Sequence, residues 1–556
     1  MADPAHDLTP VLNRGCPLDC LIVSYSEPSR NRERHQFFNP QTKTGNGWGR
    51  FLHSNYVGFE GDIMLPNHLA SIAKLTRERG TIEKTDDGFF QEADIATYSA
   101  WRIPLLGGLF LYQYLKSLSF SVDIVQHVQL EHDHFDQCLD AAPKVIGIST
   151  TLLLNPLDIA DLVSYCRSRC PDAFIVLGGM SIWNSYLANP DNPDIFKGLR
   201  ADAVVVDAKG LKTLGKLVDA VVHKKTLSDI PNLITYATSG TTSTPRQPEE
   251  FDFVKDGLRW NLIEKELVGN ISLVRTQISC PFTCSFCSYP TSQGEVVKTE
   301  LDAFEAELVT LRNRGVRFLL FVDDTFNVPP KRFKEMLHIL KKYDFRWYAF
   351  IRCQYLDRQQ VIDMRESGCG GAYLGIESAN NEILKAMNKR ATRDDYMRAV
   401  ALLASEGIVS YGSFIIGFPS ETPDAVNDTI SFIENSGLDF FNVKIFYYDH
   451  TTPIAQEAHR YDLKGRGMNW SHTTMTSTEA FACSEHVIKT IKRAPYIPQH
   501  SGEIWEIAHF HERGYSPAQV RSLYEKCTWM LQDELSQAPN RLTRQKQIFQ
   551  ELVKFC

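Results

Sequence analysis

"SCPFTCSFCSYP", residues 279–290, places Cys280, Cys284 and Cys287 within eight positions. The chain has 13 cysteines among 556 residues, and at that frequency a C-x3-C-x2-C pattern arises by chance roughly 0.007 times. The looser C-x3-C recurs at Cys16/Cys20 and Cys166/Cys170, but it is expected roughly 0.3 times by chance. Neither pair has a third thiol nearby, so both read as ordinary thiols. Clustered soft thiolates select zinc, copper(I) or an iron–sulfur cluster. A closed zinc site wants a fourth ligand, and no Cys or His follows before His338. Three thiolates on a [4Fe–4S] cluster leave one iron without a protein ligand, open to a substrate.

The rest of the chain bounds the setting. Hydrophobic residues make up 43% and charged residues 23%, the balance of a soluble globular protein. A net charge of −8 with dispersed Lys and Arg offers no basic surface for nucleic acid. No run approaches the ~20 apolar residues of a membrane span, and "MADPAHDLTPVLNRG" is not a secretion signal. A cytoplasmic protein is expected, with cysteines as thiols or metal ligands rather than disulfides.

Outward from the cysteines, the pattern is α/β on both sides. "DCLIVSY" (19–25), "SVDIVQHV", "KVIGIST", "AFIVLGG" and "ADAVVVDAKG" read as strands. Helical stretches such as "LDIADLVSYCRSR" separate the later ones, giving a doubly wound parallel sheet. A Ser/Thr/Pro-rich stretch, "TSGTTSTPRQPEE", reads as a linker. Six further strands follow: "ISLVRTQIS", "RFLLFVDD", "RWYAFIRC", "GAYLGIES", "SYGSFIIGFP" and "FFNVKIFYY". Six βα units are too few for a closed eight-stranded barrel and suit a partial one. Beyond about residue 451 helical patterns dominate. The expected boundaries are 1–235 (with an insertion at about 26–98), a linker over 236–268, the partial barrel over 269–450 and a helical region over 451–556. The cysteine loop opens where its strand is expected to end, at Ser279, on the face where parallel α/β folds do chemistry.

The motif, with Phe286 before its last cysteine and in this strand context, resembles the radical S-adenosylmethionine (SAM) superfamily. The resemblance implies a [4Fe–4S] cluster on Cys280, Cys284 and Cys287, with SAM chelating the open iron. It implies SAM contacts from Asp323 and Asp324 ("FVDDTFN"), Glu377 ("GIES") and Gly417 ("IIGFPSE") at successive strand ends. A plainer reading makes the Asp pair a helix cap.

The α/β domain ahead of the barrel resembles the Rossmann-like cobalamin-binding domain of B12-dependent radical SAM enzymes. Thr150, Thr151, Gly178 and Gly179 would then line the nucleotide tail of cobalamin. The D-x-H-x-x-G motif is absent; "EHDHFDQC" has the wrong spacing, and His132 and His134 are expected to face solvent. "DCLIVSYSE", "STTLLLNP", "ISCPFTCSFCSYP", "FVDDTFNVP" and "NWSHTTM" (469–475) together resemble the phosphinothricin-type P-methyltransferases. That implies methyl transfer from SAM via methylcobalamin to an unactivated P or C centre, with an H-phosphinate the family analogy, in natural-product biosynthesis. A non-methylating radical oxidation or cyclisation is the alternative. The implied partners are a small-molecule or peptidyl acceptor and a flavodoxin- or ferredoxin-like electron donor. Tyr447, Arg466 and His472 are the acceptor-side catalytic candidates, Arg466 because guanidinium pairs anions bidentately. The plainer reading of this segment makes Trp470 core and His472 a helix cap.

Overall fold

The computed structural model describes residues 18–26, 103–128, 131–153, 155–497 and 504–536, with short stretches between 539 and 548. Cys16 and nearly all of the insertion expected at 26–98 lie outside the described residues. The chain divides into two compact units. Among the described residues, the first comprises those up to Ser279 together with 291–316; the second takes Cys280–Pro290 and those from Arg317 onward.

In the first unit, strands Val122–Val125, Cys20–Val23, Val145–Ser149, Phe174–Gly178 and Ala203–Val205 lie side by side in that order, all parallel. These continuous Val/Ile/Leu runs are buried along their length, as strands covered on both faces require. Helix Pro156–Arg169 starts with proline at its first turn, and the Asn155 side chain accepts from Leu157 N. Phe135, Val163, Ile175 and Leu177 belong to one buried core. The stretch expected as a linker is not one at its start. Leu233–Ala237 and Gly240–Ser243 form a hairpin that extends the sheet antiparallel from Ala203–Val205. The period-two pattern is hidden there because Gly240–Ser243 is an exposed edge strand with no buried face.

The second unit holds parallel strands Phe318–Phe321, Arg346–Ile351, Cys369–Glu377, Val409–Ile416 and Phe440–Ile445 in chain order. Capping boxes at Asp357/Gln360 and Thr392/Asp395 start two of the intervening helices. Helices Ser477–Thr490 and Ile504–Glu512 pack against the strands. The region after 451, expected to be mostly helical, also holds Lys464–Arg466, Asn469–His472 and Met475–Thr476, a three-stranded antiparallel sheet. Strands of two to four residues are too short to carry a readable alternation, and Gly467, at φ 58°, turns the chain between Lys464–Arg466 and Asn469–His472. Among the described residues, no helix is long and apolar enough to cross a membrane.

"ISLVRTQIS" also differs from expectation. The strand Ile271–Val274 ends early, and Gln277–Ile278 pairs instead with Val297–Lys298. The cysteine loop therefore leaves from a two-residue hairpin strand.

Candidate active site

Within the second unit, Cys280, Cys284 and Cys287 line one open cavity of about 160 Å³. The loop is tied down locally. Ser285 donates its N–H to the Met387 carbonyl (2.9 Å) and its hydroxyl to that of Ala386 (2.9 Å). Asn388 Nδ2 donates to the Thr283 carbonyl at 2.9 Å, and Cys287 N–H to that of Cys284 at 3.1 Å. These bonds fix the loop backbone from Thr283 to Cys287. Burial pushes the Cys287 thiol up to about 12 and raises that of Cys280, so a metal bound here displaces protons.

Side chains from three successive strand ends complete the wall. Asp324 follows the first strand and is exposed in the cavity; Asp323 beside it is buried and does not line it. Neighbouring residues of extended chain point to opposite sides. The helix after them begins at Pro330 with no side-chain cap, so the pair is not its N-cap. Arg352 ends the next strand. Its guanidinium donates to Cys284 Sγ at 3.1 Å and to the Lys389 carbonyl at 3.0 Å, and it lies 3.7 Å from the centre of the Phe282 ring. Glu377 ends the third, at φ 67°, and accepts from Lys389 Nζ at 2.8 Å. Both side chains of this pair are about nine-tenths buried. A Cβ on Gly375 would fall 2.7 Å from Glu377 Oε1, so a glycine is needed where the pair folds back. Phe286 lines the same cavity. Sequence reasoning missed Arg352 and Lys389. Their one local signal is a cation closing "RWYAFIRC" at the edge that also carries Asp324.

Gly417, at φ 90°, is enclosed rather than open. A Cβ there would meet the Trp470 ring at 2.5 Å and Ala480 at 2.7 Å. Its N–H donates to Glu421 Oε2 (2.6 Å), and its carbonyl accepts from His472 Nε2 (3.1 Å). Glu421, also missed, is fully buried and pushed up to about 8 by that burial. His472 Nδ1 accepts from Thr474 (N–H 3.4 Å, hydroxyl 3.1 Å), and the ring stacks on Trp470. Nδ1 thus accepts and Nε2–H donates, the neutral form that burial favours by lowering the imidazole. Trp470 is core, while the following helix is capped by Thr476, not His472. Tyr447 and Arg466 are exposed and lie outside the cysteine cavity.

In the first unit, Thr150, Thr151, Gly178 and Gly179 do come together at adjacent strand ends. Thr150 donates N–H (2.7 Å) and hydroxyl (2.9 Å) to the Gly178 carbonyl. Gly179, at φ 108°, sits where a Cβ would be 2.8 Å from Thr151 Oγ1. Thr150 is buried and spent on this join; Thr151 is exposed. Asp207, at another strand end, accepts from Lys209, Gly210 and Glu249 backbone. His134 is buried, against the expectation that it faces solvent, whereas His132 is exposed.

Residues 274–433 match the radical SAM superfamily model. The chain carries a radical SAM domain. A protein of Pyrococcus horikoshii named as an uncharacterized methyltransferase is 29% identical over 54% of this chain and 65% of its own length. This chain therefore spans just under two thirds of that relative. The radical SAM methyltransferase TsrM of Kitasatospora setae, solved with cobalamin and a [4Fe–4S] cluster, superposes with TM-score 0.52 at 18% identity. The match covers 64% of this chain and 72% of TsrM. OxsB, a cobalamin-dependent SAM radical enzyme solved with aqua-cobalamin and SAM, gives 0.53 at 14% identity over 88% and 85%. At these identities the likeness to both solved structures is one of fold.

Proposed function

We propose that this chain is a cobalamin-dependent radical SAM methyltransferase acting on an unactivated phosphorus or carbon centre in natural-product biosynthesis. The observation that carries the reading is the cavity where three thiols, Asp324, Arg352 and the buried Glu377–Lys389 pair meet at parallel strand ends. The residues fit a [4Fe–4S] cluster: three thiols share one mouth, and among the described residues no fourth Cys or His lines it. For cobalamin, two strand ends joined through glycine and threonine, with Thr151 exposed, suit a ligand lying close against backbone.

In this reading Cys280, Cys284 and Cys287 hold the cluster in a partial (β/α)6 barrel over 269–450, and residues 1–235 take cobalamin. Thr151, Gly178 and Gly179 lie along its tail, with Thr150 bracing them. When bound, these cofactors would supply the electron that cleaves SAM and the carrier for its methyl group. The chain's own residues orient and exclude. Arg352 fixes the Cys284 side chain, and Phe282 and Phe286 keep water from the mouth. Asp324, which lines the cavity, would face the amino group of a bound SAM. Lys389 holds the Glu377 side chain in place through their 2.8 Å contact, where it would meet the ribose of a bound SAM. Gly417, walled off by Trp470, and the buried Asp323 support their strand ends outside the cavity lining. His472 positions the Gly417 carbonyl rather than exchanging protons. Arg466 and Tyr447 are the acceptor-side groups, an H-phosphinate being the anion closest to the sequence resemblance. A flavodoxin- or ferredoxin-like protein would supply the electron.

The test is anaerobic reconstitution with iron, sulfide and hydroxocobalamin, then SAM and a strong reductant, scored by mass spectrometry. We expect 5′-deoxyadenosine, lost on Cys284→Ala, and an acceptor product heavier by one methylene. A chain loaded with cluster that leaves SAM uncleaved with every acceptor tried sinks the radical reading. A product without the methylene gain replaces methyl transfer by oxidation or cyclisation.

A further inference from the structure

A second group of soft and hard donors lies in the first unit, and the cofactor reading does not use it. Asp123 sits in strand Val122–Val125, and His134 and Cys138 stand one turn apart on helix His132–Asp140. They are 6%, 2% and 0% exposed. Their donor atoms all lie within 4.8 Å of one another. We propose that Asp123, His134 and Cys138 form a zinc site that pins this helix to the edge strand of the sheet.

The spacing carries the assignment. Tetrahedral zinc, bonded to N and O at about 2.0 Å and S at about 2.3 Å, holds N and O about 3.3 Å apart and N and S about 3.6 Å apart. His134 Nε2 lies 3.3 Å from Asp123 Oδ1 and 3.6 Å from Cys138 Sγ. The sulfur is also 3.9 Å from Nδ1, beside the ring. Binding therefore turns the imidazole about its Cβ–Cγ bond until the Nε2 lone pair faces the shared point. One carboxylate and one thiolate neutralise the divalent charge, and Cys138 gives its proton to solvent, so the buried unit is neutral. The Ile124 N–H donates to Asp123 Oδ1 at 2.7 Å, the kind of support that orients a metal-binding side chain. Three ligands leave one tetrahedral position for water.

The test uses the full chain grown with zinc, with Cys280, Cys284 and Cys287 all changed to Ala to remove the other thiol cluster. Elemental analysis should find about one zinc per chain, falling to background on Cys138→Ala or Asp123→Asn. Cobalt(II) exchange should give a thiolate charge-transfer band and the strong visible bands of a tetrahedral ion. Absence of zinc from the folded parent, checked by circular dichroism and gel filtration, overturns the proposal. So does zinc that survives Cys138→Ala; the trio is then only a hydrogen-bonded cluster, or the metal sits elsewhere. If Cys138→Ala does not fold, the cobalt spectrum of the parent decides: no thiolate band overturns the site. None of these outcomes depends on radical SAM activity.

Discussion

Removing one member of the Glu377–Lys389 pair should cost far more than removing both. The two side chains are 11% and 8% exposed and meet at 2.8 Å. At an effective dielectric of about 20, two charges at that distance attract by about 6 kcal/mol, most of it offset by lost hydration. Lys389→Met leaves a buried carboxylate unpaired, and Glu377→Gln leaves a buried ammonium. Each should cost about 3–5 kcal/mol, while the double variant should lie within about 1 kcal/mol of wild type. The assay is anaerobic urea unfolding of the metal-free chain, followed by a probe of the second unit because a two-unit chain need not unfold in one step. With m of about 3 kcal/mol/M, each single change lowers the midpoint by about 1 M or more. Single variants within 0.5 kcal/mol of wild type, or a double variant equal to their sum, would refute the picture of a desolvated, mutually dependent pair.

Arg352→Gln removes the cationic N–H from Cys284, so the reconstituted cluster should become harder to reduce by on the order of tens of millivolts; potentiometric titration followed by electron paramagnetic resonance measures it, and an unchanged potential denies the contact. Gly417→Ala drives a Cβ into Trp470 at 2.5 Å from a left-handed backbone, at a cost of roughly 2–5 kcal/mol in urea unfolding. Glu421 is pushed up to about 8 in the folded chain, above its unfolded value. The folded state then holds a proton that the unfolded state releases. Its stabilising contribution is complete below about pH 4.5 and is lost, by on the order of 1 kcal/mol per pH unit, as pH rises toward 8. Glu421→Gln should flatten that part of the stability profile relative to wild type, and parallel profiles would rule the titration out.

Local chemistry was legible from the residues alone. Three thiolates within eight positions are a property of spacing, and the loop that carries them needs no partner to be recognised. The buried parallel strands were equally plain, because a strand covered on both faces is apolar along its run, as Val145 to Ile148 and Phe318–Phe321 are. The hairpins at 233–243 and 464–476 were not legible, since short or exposed strands leave no alternation to read. Tertiary structure alone decided which polar groups meet. Arg352 lies 68 positions from the Cys284 sulfur it touches, and Lys389 reaches back 12 to Glu377. His472 closes on Gly417 from 55 positions away. Of Asp323 and Asp324, identical in type and adjacent, only one faces the cavity. Asp123, His134 and Cys138 likewise converge only once strand and helix pack. Composition and period reveal which face of an element is buried; the partner of a buried charge depends on the packing of distant segments, because only there is water removed from both.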